Sequence, residues 1–270
     1  MTQKKYQTNN KLLGENASDA GIDQIWQQDN QAWWDWYVTL AENKNLYDNQ
    51  DLIDLPSLPK CNPSKKSDVE KELVCPYELS ENQCQSFRKE GFIKLPNVLS
   101  KDAVLHLRLE LVNFLSKTFD VDIDTENSNR FLSLEMMWLE NSFIRKYVLS
   151  PRIAKIAADL LGVPSVRLYH DNTLAKEPGC GRTPWHCDDD HFPLDTQEVV
   201  TAWIPAQPIP MDMGPLAFAK PLTIFDLVKN IKFNKFDTSY DQQVSETFRL
   251  NEVEIEDGPF AIGEVSFHHN

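Results

Sequence analysis

The sequence is short of basic residues, and this shortage limits the partners it can have. Its 270 residues include 27 Lys and Arg against 41 Asp and Glu, which gives a formal net charge of −14 at pH 7. A protein that binds nucleic acid normally presents a basic face to the phosphate backbone. The composition therefore argues against a nucleic-acid partner and is typical of a solvated acidic surface.

Long apolar runs are missing as well. No stretch approaches the roughly 18 consecutive apolar residues that predict a membrane-spanning helix. Residues 1–30 are polar and lack the apolar run of about 7–15 residues that marks a secretory signal peptide. We therefore expect a soluble protein with no membrane partner.

Cysteine is scarce and irregularly spaced. The five cysteines, at positions 61, 75, 84, 180 and 187, form no C-x-x-C pair, and their number is odd. Secreted domains that depend on disulfides usually carry an even number of cysteines at regular spacings. The pattern predicts reduced thiols and a cytoplasmic location.

Three common catalytic signatures are absent. The sequence contains no G-x-S-x-G elbow, no G-x-x-x-x-G-K-[ST] phosphate loop and no G-x-G-x-x-G run. Nothing in it therefore indicates a hydrolase nucleophile, a phosphate-binding loop or a dinucleotide-binding turn.

The apolar content, 41%, is enough for one sizeable core. We divide the chain into a polar, tryptophan-rich extension and linker at 1–79 and a main domain at 80–270. Within the extension, the spacing of apolar residues predicts a helix over 24–43, and the prolines of 51–68 predict a linker. The sequence makes no prediction about oligomeric state.

The first part of the main domain has helical patterns. Helices are predicted over 80–90 and from Ser100 to about residue 118, and a third begins after Ser150 and ends at Gly162. The apolar stretch that begins at Phe92 resembles a strand.

After Gly162 the apolar residues follow the two-residue period of strands. Strands are predicted over 165–175, 198–206, 215–219, 247–257 and 260–268, with one helix inserted at 221–233. Helices followed by strands predict a mainly β fold, with a sheet or barrel core and an N-terminal helical layer.

The chemistry of the sequence is concentrated at His186-Cys187-Asp188, at the end of a turn that contains Gly and Pro. On an extended backbone, residues i and i+2 point to the same side, so His186 and Asp188 can face one metal ion. A second histidine from a distant strand would complete a 2-His-1-carboxylate triad, which leaves positions open on non-haem Fe(II). Alone, the His-x-Asp sequence is weak evidence for a metal site, because two surface residues in a solvated acidic turn would have the same sequence.

The residues around the pair resemble those of the phytanoyl-CoA dioxygenase family. The motifs HDN-x-x-x-K-x-PG, TPWH-x-D, HFPLD, VTAWIP and GPL occur in the family's order, at 170–179, 183–188, 191–195, 200–205 and 214–216. Upstream, SENQCQSFRKEGFIKLPNVLSKDAV (80–104) is similar to the helix and strand that open the family's domain. The resemblance extends, with gaps, from about residue 80 to the end of the chain.

The resemblance implies a fold and a reaction. The fold would be a double-stranded β-helix, the cupin-like jelly roll, with flanking helices. The reaction would use Fe(II), 2-oxoglutarate and dioxygen to oxidise a C–H bond of a small organic substrate, usually by hydroxylation, with release of succinate and CO2. His186 and Asp188 would then be the iron ligands.

The resemblance also implies residues that bind the co-substrate and the substrate. Asn172, Lys176 and Trp203 match positions that line the co-substrate pocket. Lys176 would pair with a carboxylate if it points inward, but an ordinary lysine at the end of a strand, reaching water, fits the sequence equally well. His191 matches a position beside the substrate, where it would contact substrate or cap the turn.

Two departures from the family affect the pocket. Cys187 stands between the ligands, where the family commonly has glutamine, and a thiol so close to an oxidising iron is open to oxidation. The stretch AFAKPLT after GPL also differs from the family and changes the loop beside the pocket, so substrate analogies do not carry over.

The largest departure is at the last residues. If His269 matches the first histidine of the family's final motif, the ligand histidine would lie about four residues beyond Asn270 and an arginine for 2-oxoglutarate further on. His268 or His269 could replace this ligand, but strand alternation lets only one of them face inward. The sequence is therefore either a fragment of a longer protein or a truncated form. The main alternative function is a truncated, non-catalytic binding domain with a degenerate metal site, and a cupin-like isomerase ranks behind it.

Overall fold

The computed structural model describes residues 65–120, 131–177, 182–190, 192, 194–233 and 238–269. The predicted helix at 24–43 and the linker up to residue 64 lie outside these ranges. None of the helices within them is long and apolar enough to cross a membrane.

Seven α-helices lie within the described ranges. They are α1 (Lys66–Val74), α2 (Glu81–Glu90), α3 (Lys101–Phe119), α4 (Ile144–Val148), α5 (Pro151–Leu161), α6 (Phe225–Val228) and α7 (Ser239–Leu250). Short 3-10 turns lie at Met137–Leu139, Asp188–Asp190, Met211–Met213 and Leu222–Ile224.

In the part of the chain that the structure describes, seven strands form three antiparallel sheets. The strands are β1 (Phe92–Leu95), β2 (Phe131–Glu135), β3 (Asn172–Lys176), β4 (Val200–Trp203), β5 (Ala217–Lys220), β6 (Glu254–Asp257) and β7 (Val265–His269). The largest sheet has the order β1-β7-β4, and the others pair β2 with β3 and β5 with β6. Within the described ranges the strands form no closed barrel.

The central sheet has two chemically different faces. Val265 and Phe267 of β7 are fully buried in the main hydrophobic core, which they share with α1–α5. Ser266 and His268 alternate with them and therefore lie on the opposite face. Phe218 of β5 covers that face, where its ring stacks on Phe92 of β1 at 4.2 Å. We call this covered surface the inner face.

The predicted helix ends are confirmed. Ser80 and Gln83 form a capping box at the start of α2, and the Ser100 hydroxyl accepts a hydrogen bond from the Ala103 N–H at the start of α3. Ser150 caps α5, which ends at Gly162 in the left-handed conformation. Cap chemistry is local, and so these boundaries could be read from the sequence.

Several predictions made from periodicity are wrong or too broad. The strand predicted over 247–257 covers only β6, because residues 247–250 end helix α7, in which Tyr240, Val244 and Phe248 are buried at four-residue spacing. The helix predicted over 221–233 is a 3-10 turn followed by the single turn of α6. The strand predicted over 165–175 is confined to β3. Helical residues outnumber strand residues within the described ranges. The structure therefore contains less strand than the predicted mainly β fold would have.

Helix α1 was not predicted. It begins inside the stretch interpreted as a linker, and its Val69 and Leu73 are buried in the main core. The domain boundary at residue 79 stays a prediction, although the core already receives side chains from before it.

The turn before β7 fixes the position of that strand. Gly263 has a φ of +84°, and a Cβ atom at this residue would lie 2.0 Å from the carbonyl oxygen of Leu99. The Leu99 N–H donates a hydrogen bond of 3.1 Å to the Gly263 carbonyl. Any side chain at residue 263 therefore has both to adopt an unfavourable backbone conformation and to push the chain away.

We expect Gly263→Ala to lower the free energy of unfolding by about 2–5 kcal/mol, the sum of the left-handed backbone cost and the steric overlap. Gly162→Ala is the matched control, because Gly162 has a φ of +70° and nothing within 4 Å of the added Cβ. The control should lose only about 1–2 kcal/mol. Urea unfolding of both variants measures the difference, and equal losses would contradict the close approach of Gly263 to Leu99.

Candidate metal centre

Strand β7 carries one histidine to each side of the central sheet. His268 lies on the inner face, between Phe92 of β1 and Thr201 of β4. His269 lies on the opposite face, where its ring centroid is 6.1 Å from that of Phe87 in the helical layer. The alternation expected of the two histidines is therefore present, and His268 is the one on the inner face.

Helix α7 holds the turn that carries His186. The Asp241 carboxylate accepts a hydrogen bond of 2.9 Å from the Trp185 N–H and also pairs with Arg182. The Trp185 ring packs edge-on against Phe248 at 5.2 Å. These contacts fix the backbone on both sides of residue 184 and so aim His186 at the inner face.

Asp188 lies between the two histidines. Its Oδ1 is 3.5 Å from Nε2 of His186, and its Oδ2 is 3.6 Å from Nε2 of His268. The Thr201 hydroxyl donates a hydrogen bond of 2.7 Å to Oδ2. The side chains of Asp188 and His268 are 16% and 17% exposed, and that of His186 is 27% exposed. The three groups are thus partly buried on one side of the sheet.

The His186 ring is oriented by a backbone carbonyl. Its Nδ1 lies 2.9 Å from the Pro184 carbonyl oxygen, which can only accept, so Nδ1 carries the proton. Its Nε2 faces Asp188 Oδ1 at 3.5 Å, so an imidazole nitrogen and a carboxylate oxygen, both common metal ligands, point toward one another. A carbonyl-bound Nδ1–H is the usual support of a metal-bound histidine. The residues therefore fit a bound metal ion.

The surroundings of Asp188 favour its ionised form. Burial by itself raises the pKa of this carboxyl, but the attraction of His268 and His186 and the hydrogen bond from Thr201 outweigh it, so that the pKa lies well below its usual value. A carboxylate that stays ionised is the form that binds a metal.

Three aromatic rings adjoin this cluster. Tyr169, His170 and Phe192 pack edge to face, with centroids 4.9–5.4 Å apart. Burial lowers the pKa of His170, and the nearby Asp188 carboxylate opposes this change. The His170 ring therefore lies within electrostatic reach of the candidate ligands.

The other predicted site residues lie at varying distances from the cluster. Trp203 is two residues after Thr201 on β4 and hence on the inner face, where its ring meets Phe260 at 4.9 Å. Asn172 accepts a hydrogen bond from Ser133, and Lys176 donates one to Thr183 at 2.7 Å and lies over the Phe131 ring. These contacts do not involve His186 or Asp188, so the co-substrate roles of Asn172 and Lys176 stay predictions. His191 lies outside the described residues.

The cluster is not a closed metal cage. Within the described ranges, no group of three or more His, Cys, Asp or Glu side chains is close enough to hold a metal ion without adjustment. Ligands of one metal ion at about 2.0–2.2 Å would bring the donor atoms closer together than the 3.5 and 3.6 Å observed here. The inner face therefore brings together His186, Asp188 and His268. Small side-chain movements would be needed for all three to bind one metal ion.

Comparison with known proteins identifies the family. Residues 87–220 match the family model for phytanoyl-CoA dioxygenase. This part of the chain belongs to the phytanoyl-CoA dioxygenase family. The matched range contains the candidate ligands His186 and Asp188, together with Thr201 and Trp203, whereas His268 lies after it.

A curated relative of this family member is the ectoine dioxygenase of Sphingopyxis alaskensis. The two are 26% identical over 151 residues, which are 54% of this chain and 47% of the relative. The chain thus spans about half the length of that relative.

Two solved structures share the fold. The non-haem α-ketoglutarate-dependent carbocyclase SnoK from nogalamycin biosynthesis has a TM-score of 0.55 at 21% identity, covering 72% of this chain and 78% of its own. The epimerase SnoN, in complex with Fe3+, α-ketoglutarate and nogalamycin RO, has a TM-score of 0.50 at 20% identity, covering 70% and 73%. At such low identity these likenesses establish the architecture alone.

Sequence reasoning missed several residues of the site. Thr201 and Asp241 act through contacts that link distant parts of the chain, 13 and 56 residues from their partners Asp188 and Trp185. Both are common residue types in ordinary positions, and nothing in one sequence marks them. The sequence does mark His170, because it belongs to the same HDN motif as Asn172.

The lowered pKa of Asp188 makes a prediction for the metal-free protein. A carboxylate whose pKa is lower in the folded state than the unfolded value of about 3.9 adds stability above that value, and the stability is lost as the pH falls through the folded pKa. We expect Asp188→Asn, which can still accept from Thr201, to lose less stability than the wild type between pH 6 and pH 3. The difference should be on the order of 1–3 kcal/mol, at about 1.4 kcal/mol for each pKa unit. Urea unfolding across this range measures it, and parallel pH profiles would contradict the assigned environment.

Proposed function

We propose that the chain is an Fe(II)- and 2-oxoglutarate-dependent oxygenase that oxidises a C–H bond of a small organic substrate, by hydroxylation or a related reaction. Membership of the phytanoyl-CoA dioxygenase family supports the reaction class. The double-stranded β-helix core is part of the same proposal, supported by the likeness to SnoK.

The observation that carries the proposal is the position of Asp188 between His186 and His268. Two imidazoles and one carboxylate on one side of a metal leave the opposite positions open, and this set is typical of non-haem Fe(II) oxygenases. When bound, the iron would supply the activation of dioxygen that is coupled to oxidation of 2-oxoglutarate.

Each residue of the cluster has a separate task in this proposal. Hydrogen bonds to Pro184 and from Thr201 orient His186 and Asp188, so that Nε2 of His186 and Oδ1 of Asp188 face each other. His268 provides the third donor. The rings of Tyr169, His170 and Phe192 pack against one another beside the cluster.

Strand β7 presents His268, and not His269, to Asp188. The Nε2 atom of His268 faces Asp188, whereas the backbone N–H of its neighbour His269 donates a hydrogen bond of 2.7 Å to the Gly91 carbonyl on the far edge of the sheet. Of the two histidines, His268 is therefore the one that we assign to iron.

The substrate class follows from chemistry and from the relative. The ectoine dioxygenase is named for a small-molecule substrate. The net charge of −14 disfavours the docking of long anionic molecules such as coenzyme A thioesters on the open surface. We therefore propose a small organic substrate and do not carry over the family's name-giving compound.

The pair His268 and His269 provides a matched test of the ligand set. We expect His268→Ala to weaken Fe(II) binding by more than the roughly 10–100-fold that the loss of a supporting residue costs. His269→Ala should change it less than about 3-fold, since that side chain lies on the opposite face. Anaerobic calorimetric titration of Fe(II) measures both affinities.

The double variant His186→Ala/Asp188→Ala is the negative control and should not bind iron. Equal affinities for the His268→Ala and His269→Ala variants would remove His268 from the ligand set. Iron binding by the double variant would place the metal elsewhere.

Turnover tests the reaction itself. The protein with Fe(II), 2-oxoglutarate, dioxygen and a panel of small organic substrates should release succinate in step with 2-oxoglutarate consumption. The double variant should release none. Mass spectrometry of the panel would show a gain of one oxygen atom in the hydroxylated compound. A protein that binds iron and 2-oxoglutarate but never forms succinate would instead support the non-catalytic binding domain.

A further inference from the structure

The peptide group between Pro184 and Trp185 is hydrogen-bonded at both of its ends. Its N–H donates to Oδ1 of Asp241 at 2.9 Å, and its carbonyl oxygen lies 2.9 Å from Nδ1 of His186. The peptide is trans, so its N–H and its C=O point in opposite directions. Asp241 and His186 therefore lie at the two ends of one rigid plane.

This plane transmits the position of Asp241 to the His186 ring. The N–H and the C=O of a planar peptide turn together about the chain. By holding the N–H, Asp241 fixes the direction in which the Pro184 carbonyl points, and the carbonyl holds Nδ1 of His186. The other ring nitrogen, Nε2, is the one that faces Asp188. Asp241 thus acts, through the backbone, on which nitrogen of His186 is presented to the metal centre.

The Asp241 carboxylate has a well-defined position for this task. Its side chain is 14% exposed, and its second oxygen, Oδ2, pairs with the Arg182 guanidinium. Its helix, α7, is anchored by the buried side chains of Tyr240, Val244 and Phe248. Both carboxylate oxygens are therefore used, and the helix fixes them in relation to its own core.

The charge of Asp241 also affects His186 through the peptide. Hydrogen bonds in a chain polarise one another, by about 10–30% per bond. A carboxylate on the N–H makes the carbonyl a stronger acceptor for Nδ1–H, and a stronger acceptor at one ring nitrogen makes the other a better metal ligand. In many metal sites a carboxylate contacts the histidine directly. Here one peptide group lies between them.

A contact from β3 to the same turn acts differently. Lys176 donates a hydrogen bond of 2.7 Å to the Thr183 hydroxyl. A hydroxyl rotates independently of the backbone, so this bond does not set the plane of the Pro184–Trp185 peptide. Asp241 acts on the backbone group that holds His186, whereas Lys176 acts on a neighbouring side chain.

We propose that Asp241 is a positioning residue of the metal centre, which sets the tautomer and the orientation of His186 through the Pro184–Trp185 peptide. This inference rests on the proposed function. It gives helix α7, which follows the family-matched range 87–220, a part in Fe(II) binding.

Anaerobic calorimetric titration of Fe(II) measures the effect on the metal. Asp241→Ala should weaken Fe(II) binding by about 10–100-fold, the usual cost of losing a residue that supports a metal ligand. Asp241→Asn should recover most of the affinity, because its amide oxygen still accepts from the Trp185 N–H. Arg182→Met should change the affinity less than about 5-fold, because this exposed ion pair does not touch the peptide that holds His186.

The tautomer of His186 in the metal-free protein is a second readout, which a loss of stability alone does not change. Nitrogen NMR of the histidine rings at about pH 9, above the usual histidine pKa range, should show His186 as the Nδ1–H tautomer in the wild type. The His186→Ala variant assigns the signals. Asp241→Ala should add a population of the Nε2–H tautomer, because Asp188 then competes for the ring proton. Asp241→Asn should resemble the wild type.

Glu246 provides matched controls on the same helix. Its carboxylate forms an exposed pair with Arg249. Glu246→Ala should leave both the Fe(II) affinity and the His186 tautomer unchanged. Glu246→Gly weakens the helix without touching the turn, and so measures how much affinity is lost through helix stability alone. The loss in Asp241→Ala should exceed it.

The outcomes separate this role from the function on which it rests. A wild type that binds no Fe(II) would overturn the proposed function and the metal role of Asp241 together. A wild type that binds Fe(II) with an affinity unchanged by Asp241→Ala would overturn the positioning role alone. A loss of affinity with an unchanged His186 tautomer, or a loss equal to that of Glu246→Gly, would also overturn it, since Asp241 would then only stabilise the helix.

Discussion

The pairing of β7 with β4 is the constraint on which the candidate site depends. Through it, His268 lies opposite Thr201, and the Thr201 hydroxyl holds the carboxylate of Asp188 at 2.7 Å. A shift of β7 by one residue would move His268 to the helical side and bring His269 to the inner face. The fully buried Val265 and Phe267 oppose such a shift, because it would expose them on the polar side. Packing of the core on one face thus fixes the chemistry on the other.

The site also depends on an element far away in sequence. Helix α7 contacts the 182–188 turn through Asp241 and Phe248. Between the turn and α7 in the sequence lie β4 and β5, which supply Thr201 and Phe218 to the inner face. The His-x-Asp pair is therefore held from two sides, by a helix behind its backbone and by a strand in front of its carboxylate. Stability of α7 and metal affinity should be coupled for this reason.

The parts of the structure that could be predicted from the sequence are those with local causes. Ser80, Ser150 and Gly162 mark helix ends because caps and left-handed turns act within a few residues. The motif around His186 and Asp188 identified the family and two candidate ligands. The strand prediction at 247–250 was wrong because a short amphipathic stretch fits either period until its partners are known. Thr201 and Asp241 could not be found, since each depends on a contact between distant segments.

The central claim, that one metal ion is bound by His186, Asp188 and His268, is tested most directly by crystallography. Crystals grown anaerobically with Fe(II) and 2-oxoglutarate would be measured at wavelengths on both sides of the iron absorption edge, so that iron appears in an anomalous difference map. We predict one strong peak about 2.0–2.2 Å from Nε2 of His186, a carboxylate oxygen of Asp188 and Nε2 of His268. A peak bound by only the first two residues, or one located elsewhere in the protein, would contradict the claim.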